Sequence, residues 1–173
     1  MIIDTEPEAS TAAQSSVARP TIRTATPDDV PALARLLLAS MDTSLPDERL
    51  FPPPAVQTLC LEDAVSGEIL GYAAVKTCND TEKEDRESEL DMLFVRAGMS
   101  GRGYGSMLVQ AVQERWMGNA VCVRVFVRNT RAVQCYRRWG FVVVGEEEME
   151  FGEGAERQIE EVFTMRWRPV QPT

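Results

Sequence analysis

The sequence of 173 residues contains no histidine. Hydrolases built on a Ser-His-Asp or Cys-His arrangement need that side chain as a base, so the sequence argues against this class of enzyme. Zinc sites lose a common ligand for the same reason, and the four cysteines form no Cys-x-x-Cys pair. We therefore expect no structural or catalytic metal.

Long apolar runs are also missing. No segment approaches the roughly 20 consecutive apolar residues that span a bilayer. The first twenty residues lack the basic start and the apolar centre of a secretory signal. We expect a cytoplasmic protein with no membrane partner, with the nucleus left open as a location, and a disordered tail over residues 1–19.

Positive charge is in deficit, and the formal net charge is -9. Proteins that bind nucleic acids non-specifically neutralise phosphates with Lys and Arg, so we expect no nucleic-acid partner. An acidic surface favours a cationic substrate, but the same charge also serves solubility, and both interpretations stay open.

The residues that are present fit one globular domain, because 44% of them are hydrophobic and 26% are charged, values that are ordinary for soluble domains of this length. Alternating or β-branched runs predict strands, and helical spacing of apolar residues predicts helices. The predicted strands are 21–24, 57–63, 69–77, 88–95, 120–127, 141–144 and 158–167. The predicted helices are 27–41, 107–116 and 130–139.

Three further segments have no regular pattern. Four prolines lie in 42–54, which predicts a loop or a short helix there. The polar segment 79–86 is predicted to be a solvated loop, and the acidic segment 145–157 to be the exposed turn of a final hairpin.

The fourth predicted strand carries two carboxylates. Strand alternation places Glu89 and Asp91 on one face and Leu90, Met92 and Phe94 on the other. We therefore expect the two carboxylates to enter the same cleft.

A glycine-rich turn follows that strand and precedes a predicted helix. Glycine alternates with other residues from Gly101 to Gly105, an arrangement that lets backbone N–H groups converge on an anion at the positive end of a helix. The segment lacks the Lys-Ser/Thr pair of a nucleotide P-loop and does not match Gly-x-Gly-x-x-Gly. Taken alone, it predicts either a phosphate site or a tight turn without a ligand.

Two linked motifs decide between these alternatives. Residues 100–105 resemble the Arg/Gln-x-x-Gly-x-Gly/Ala signature of the GNAT superfamily of N-acetyltransferases, except that Ser100 replaces Arg or Gln. The superfamily's second pattern, Asn-x-x-Ala-x-x-x-Tyr-x-x-x-Gly-Phe, is similar to residues 129–141, which supply each of its named positions. The chain is therefore identified as a member of this superfamily over 20–168.

The resemblance implies an α/β (α+β) domain, the GNAT fold, in which a mixed central sheet of about six to seven strands is splayed between strands 4 and 5 and packs with about four helices. It implies an acyltransferase that uses acetyl-coenzyme A (acetyl-CoA) to acetylate a primary amine of a small molecule or a protein by direct attack, as a monomer or a homodimer. Ser100 favours the alternative of a catalytically weak sensor or scaffold that binds acyl-CoA.

The resemblance also implies roles for individual residues. Tyr136 is expected to protonate the departing thiolate, Glu89 or Asp91 to act as the base, and the Leu93 or Phe94 amide to stabilise the oxyanion. Backbone groups of strand 4, the amides of the glycine turn and side chains of the following helix are expected to hold the coenzyme. The expected coenzyme contacts are Phe94, Val95, Gly101, Arg102, Gly103, Tyr104, Gly105, Ser106, Asn129 and Arg138.

Overall fold

A computed structural model describes residues 19–40, 56–77, 87–151 and 157–169. Seven strands form one sheet in the order β1-β2-β3-β4-β5-β7-β6. They are β1 Thr21–Thr24, β2 Val56–Glu62, β3 Ile69–Thr77, β4 Glu87–Val95, β5 Ala120–Phe126, β6 Val142–Phe151 and β7 Gln158–Trp167. The helices are α1 Val30–Ser40, preceded by a 3-10 turn over Pro27–Asp29, α2 Tyr104–Arg115 and α3 Thr130–Arg138.

The expected mixed sheet is confirmed, because β4 and β5 are parallel and the other neighbouring strands are antiparallel. The described residues contain three α-helices, against the expected four or so. None of these helices is long and apolar enough to cross a bilayer. The predictions for 1–18, 42–54 and 79–86 lie outside the described residues.

Helices pack on both faces of the sheet. The larger core lies under α2 and α3, where Leu108, Val112 and Phe141 are almost fully buried. A smaller core lies on the opposite face, where Leu36 of α1 packs with residues of β2 and β3. Apolar stripes at helical spacing on α2 and α3 account for this arrangement, since each helix has one face to bury.

Strands β4 and β5 are joined for only a short distance. Their parallel pairing runs from Glu87↔Ala120 to Glu89↔Cys122. Beyond that point β4 continues beside β3, β5 continues beside β7, and no ladder joins the two among the described residues. The splayed sheet expected from the resemblance is therefore present, with a gap between the carboxyl halves of β4 and β5.

The predicted faces of β4 are wrong after Leu90. From Leu90 to Met92, β4 advances by two residues while its partners on β3 advance by one, so Asp91 is the extra residue of a β-bulge. Leu90 packs in the core under α2 and α3, whereas Met92 and Phe94 pack on the α1 side. A bulge shifts the alternation by one residue, which a pattern of period two does not reveal.

The acidic segment 145–157 is largely strand, so the prediction of an exposed turn is wrong up to Phe151. β6 extends to that residue and pairs with β7 throughout, with Glu146 opposite Phe163 and Glu150 opposite Ile159. β6 lies at an edge of the sheet, where charged side chains reach solvent and also discourage pairing with other chains. Residues 152–156 lie outside the described part of the chain.

A buried carboxylate fixes the start of α1. Asp29 accepts two hydrogen bonds from the Arg23 guanidinium, at 2.7 and 2.8 Å, and a third from the Thr26 backbone N–H at 2.7 Å. The hydrogen bonds from Arg23 hold the pKa of Asp29 well below its usual range, and the Thr26 N–H acts in the same direction. This side chain therefore ties β1 to the turn that begins α1.

Replacing Asp29 with alanine is expected to lower the free energy of unfolding by about 2–3 kcal/mol, because it removes one of the two carboxylates that pair with Arg23, the other being Glu62, and leaves a backbone N–H without its acceptor. A group whose pKa is depressed by folding stabilises above its ordinary pKa, about 4, and loses that effect as the pH falls. The difference between wild type and variant in urea unfolding should therefore stay constant from pH 7 to about pH 5 and shrink as the pH falls below about 4. The exposed neighbour, changed in Asp28→Ala, is the control, and an equal loss in both variants would contradict the assignment.

Candidate active site

The turn between β4 and α2 exposes backbone N–H groups. Gly101 and Gly103 have φ angles of +81° and +82°, a left-handed conformation that glycine adopts without strain. The first backbone bond of α2 runs from the Met107 N–H to the Gly103 carbonyl, so the amides of the preceding turn have no partner within the helix. A Cβ atom added at either glycine would meet no atom within 4 Å, which shows that the turn opens onto free space.

Helix α3 forms the wall opposite this turn. Asn129 caps the helix, because its Oδ1 accepts a hydrogen bond from the Ala132 N–H at 3.1 Å. At the other end of the helix, the Trp139 indole Nε1 donates to Ser106 Oγ at 3.0 Å. A Cβ atom on Gly105 would lie 3.4 Å from the Trp139 ring, so α2 and α3 are close to each other at this point.

Between the turn and α3 lies a cleft of about 940 Å³, a size that suits a cofactor. Its lining includes nine of the ten residues predicted to contact the coenzyme, all but Arg102, which is exposed. The nine are Phe94, Val95, Gly101, Gly103, Tyr104, Gly105, Ser106, Asn129 and Arg138.

Sequence reasoning missed part of this lining. Met99, Cys135 and Trp139 also border the cleft, and none of the three was among the predicted coenzyme contacts. The signal was available for α3, because residues at spacings of three and four from Ala132 share one face of a helix. Met99 had no such signal, since it lies in an irregular turn.

Tyr136 lies at the inner side of the cleft. Its side chain is buried and makes edge-to-face contacts with Trp139 and Phe141, each with ring centroids 5.4 Å apart. Burial raises the pKa of Tyr136 to about 12, because the low-polarity surroundings disfavour the phenolate. The phenol therefore keeps its proton throughout the neutral range.

Positive charge enters the cleft from α3. Ser100 borders the cleft and carries no charge, whereas Arg131 and Arg138 reach it from the first and last turns of the helix. The Arg138 guanidinium also donates to Cys135 Sγ at 3.1 Å. The cleft thus has cationic side chains on one wall and open amides on the other.

The two candidate bases lie outside the cleft lining, beside the point where β4 and β5 separate. Glu89 Oε1 accepts a hydrogen bond from Arg124 Nε at 2.8 Å and lies 2.7 Å from Arg124 Nη2 in the same ion pair. Asp91 pairs with Lys76 Nζ at 2.6 Å. Both carboxylates are thus paired with cations, which the sequence pattern did not predict.

A sequence model described as the acetyltransferase (GNAT) family matches residues 30–141, more than half of the chain. The chain belongs to this family. The match contains the glycine turn, α2, β5 and α3, and therefore both walls of the cleft. No curated protein sequence matches the chain.

Solved structures of GNAT-like proteins share the fold. Arabidopsis thaliana NAA60 in complex with acetyl-CoA is 15% identical, with a TM-score of 0.70 over 86% of this chain and 97% of that one. A histone acetyltransferase HPA2 and related acetyltransferase from Corynebacterium glutamicum is 21% identical, with a TM-score of 0.66 over 90% and 99%. The ribosomal-protein-S18-alanine N-acetyltransferase of Escherichia coli is 15% identical, with a TM-score of 0.70 over 89% and 96%.

The cleft of this GNAT-family chain fits an acyl-coenzyme A by its own chemistry. Open amides at a helix N-terminus bind phosphate oxygens, and arginines suit the same groups. The β4 edge that borders the gap has no strand partner after Glu89 among the described residues, so its backbone N–H and C=O groups can bind the amides of an extended arm.

Proposed function

We propose that this GNAT-family chain is an N-acetyltransferase that moves the acetyl group of acetyl-CoA to a primary amine of a small molecule or a protein. The observation that carries the proposal is the convergence of the open amides of 101–106 and the Tyr136 side chain on one cleft. The amides suit the pyrophosphate, and the protonated phenol suits a departing thiolate.

Each part of the coenzyme has a matching part of the chain. The amides of the glycine turn bind the pyrophosphate, and Arg138 and Arg131 supply the charge that Ser100 does not. Backbone groups of Phe94 and Val95 bind the pantetheine arm along the open edge of β4. Asn129 contributes its side-chain NH₂ group, because its Oδ1 is already engaged in the helix cap.

Acetyl-CoA supplies an activated acetyl thioester, and the protein moves two protons around it. The amine nitrogen forms a bond to the acetyl carbon while the carbon–sulfur bond breaks. The amide of Leu93 or Phe94 donates to the oxygen that gains negative charge. Tyr136 gives its proton to the sulfur, and a carboxylate accepts the proton that the nitrogen loses.

Glu89 is the better supported base of the two carboxylates. The hydrogen bond and the ion-pair contact from Arg124 both end on its Oε1 atom, which leaves Oε2 to accept from an amine. Glu89 is the last residue of β4 that pairs with β5, and the gap between the two strands opens directly after it. Asp91 is the alternative, since Lys76 engages only its Oδ1 atom.

A sensor or scaffold that binds acyl-CoA without rapid turnover is the second candidate. Ser100 supports it, because a charge-assisted contact at that position is replaced by a hydroxyl on an exposed turn. Loss of one such contact weakens binding by about 1.5–3 kcal/mol when nothing compensates for it. The retained Tyr136 favours the enzyme, since a sensor has no need of a proton donor.

Two measurements on the purified chain test the proposal. Isothermal titration with acetyl-CoA should give a dissociation constant in the micromolar range, and thiol release should depend on an added primary amine. Binding without amine-dependent release from a broad panel would favour the sensor. Absence of binding would refute both candidates.

A further inference from the structure

Four charged residues form a row on β3, β4 and β5 at the point where β4 and β5 separate. We name them the vertex charges: Lys76, Glu89, Asp91 and Arg124. Lys76 pairs with Glu89 in the β3–β4 ladder. Their neighbours in the ladder, Val75 and Leu90, point into the core under α2 and α3, so Lys76 and Glu89 point to the opposite face. Arg124 points the same way, because its ladder neighbours also lie in that core.

The vertex charges alternate in sign across three strands. Lys76 on β3 and Arg124 on β5 flank the two carboxylates of β4, with contacts of 2.6 and 2.7 Å. Their sum is zero. A polycation would gain little attraction here, because each carboxylate already has a cation beside it and the two cations repel a third.

Arg124 has hydrogen-bonding capacity that its ion pair does not use. A guanidinium carries five N–H donors in a planar fork. Glu89 occupies the edge formed by Nε and Nη2, and Nη1 meets Met149 Sδ at 3.9 Å, which is a weak acceptor. The second edge of the fork is therefore suited to a carboxylate.

Apolar side chains adjoin this edge on the same face. Phe126 follows Arg124 by two residues on β5 and makes an edge-to-face contact with Phe151 of β6, with ring centroids 5.0 Å apart. Met149 lies on β6, two residues before Phe151, and its Sδ atom is 3.9 Å from Arg124 Nη1. The Arg128 guanidinium lies over the Phe126 ring, 5.3 Å from its centroid, whereas Phe151 is exposed. A ligand whose charged end binds Arg124 would thus have the exposed parts of these two rings as an aromatic surface for an apolar substituent.

Given the transfer reaction proposed above, we infer that the acceptor is a small zwitterion of the amino-acid type, held by Glu89 at its amino group and by Arg124 at its carboxylate, with an apolar side chain against Phe126. The Glu89 carboxylate suits an ammonium group and the Arg124 guanidinium suits a carboxylate, and an amino acid carries both of these groups on one carbon. The coenzyme cleft opens on the α2–α3 side, so the acceptor approaches the gap from the face that carries the vertex charges. Glu89 then serves both to orient the amine and to accept its proton.

Matched pairs of acceptors test this inference, because they differ only in the carboxylate. L-Phenylalanine is compared with phenethylamine and L-leucine with isoamylamine, and spermidine and a peptide with N-terminal leucine complete the panel. The amino acids should exceed their decarboxylated partners in kcat/KM by about 10- to 100-fold, the discrimination expected for one charge-assisted carboxylate contact.

Variants of Arg124 separate recognition from folding. Arg124→Gln should reduce the preference for the amino acid to less than about threefold, mainly through KM, whereas Arg124→Lys should keep part of it because the charge remains. Arg115→Gln is the control, since it removes a positive charge from an exposed residue at the end of α2. Circular dichroism verifies that each variant is folded.

Each other result has a distinct meaning. Equal rates for the members of a pair, or a preference for spermidine or the peptide, would overturn the inference. Micromolar binding of acetyl-CoA with no acetylation of any amino acid would also overturn it, while the coenzyme site would stand. Failure to bind acetyl-CoA would instead refute the proposed function itself.

Discussion

Replacing Gly103 with glutamate is expected to weaken acetyl-CoA binding at least 100-fold, measured by isothermal titration. Gly103 has a φ of +82° and forms part of the cleft wall. A side chain at this position strains the backbone by about 1–2 kcal/mol. It also directs a carboxylate toward the space in which the amides would hold phosphate, so that charge repulsion adds to the strain.

Gly67→Glu is a matched control for this variant. Gly67 also has a positive φ, of +69°, and a Cβ atom there would meet nothing within 4 Å, but it lies in the turn between β2 and β3, away from the cleft. The two variants therefore share the strain and the added charge and differ only in place. Affinity within about twofold of wild type is expected for Gly67→Glu. A folded Gly103→Glu protein that retained wild-type affinity would refute a phosphate site at the turn.

The parts of the cleft that the sequence predicted are those whose residues are close together along the chain. The glycine turn and the helix that carries Tyr136 each depend on spacings of at most a few residues. Such spacings determine backbone conformation and helix faces directly. The strands of the sheet were predictable for the same reason, whereas its mixed character followed only from the resemblance to the GNAT superfamily.

The relations between strands were not predictable in this way. The bulge at Asp91 depends on how β3 and β4 align, and it reverses the faces expected for Met92 and Phe94. The ion pair of Glu89 with Arg124 joins residues 35 positions apart on neighbouring strands. Charge alone also misled the interpretation of 145–157, because an edge strand exposes its side chains as a loop does.

Tyr136→Phe is expected to lower kcat by about 100-fold or more, with little change in the affinity for acetyl-CoA, because the substitution removes a proton donor and preserves the ring. The edge-to-face contacts with Trp139 and Phe141 need only the ring, so the fold should be retained. Since burial raises the pKa of Tyr136 to about 12, this group should cause no loss of wild-type activity as the pH rises to about 10. An unperturbed tyrosine, with a pKa of about 10, would already be half ionised there.

The matched control for that variant is Tyr72→Phe. Tyr72 is also a buried tyrosine whose pKa is raised by burial, but it stacks on Phe94 on the α1 side of the sheet and does not line the cleft. Loss of its hydroxyl should therefore leave kcat within about twofold of wild type. If Tyr136→Phe retained full kcat, the phenol would have a packing role only, and a water molecule would have to protonate the thiolate. If both variants lost activity equally, the loss would come from disturbed core packing, because of the two tyrosines only Tyr136 is placed in the cleft to donate a proton.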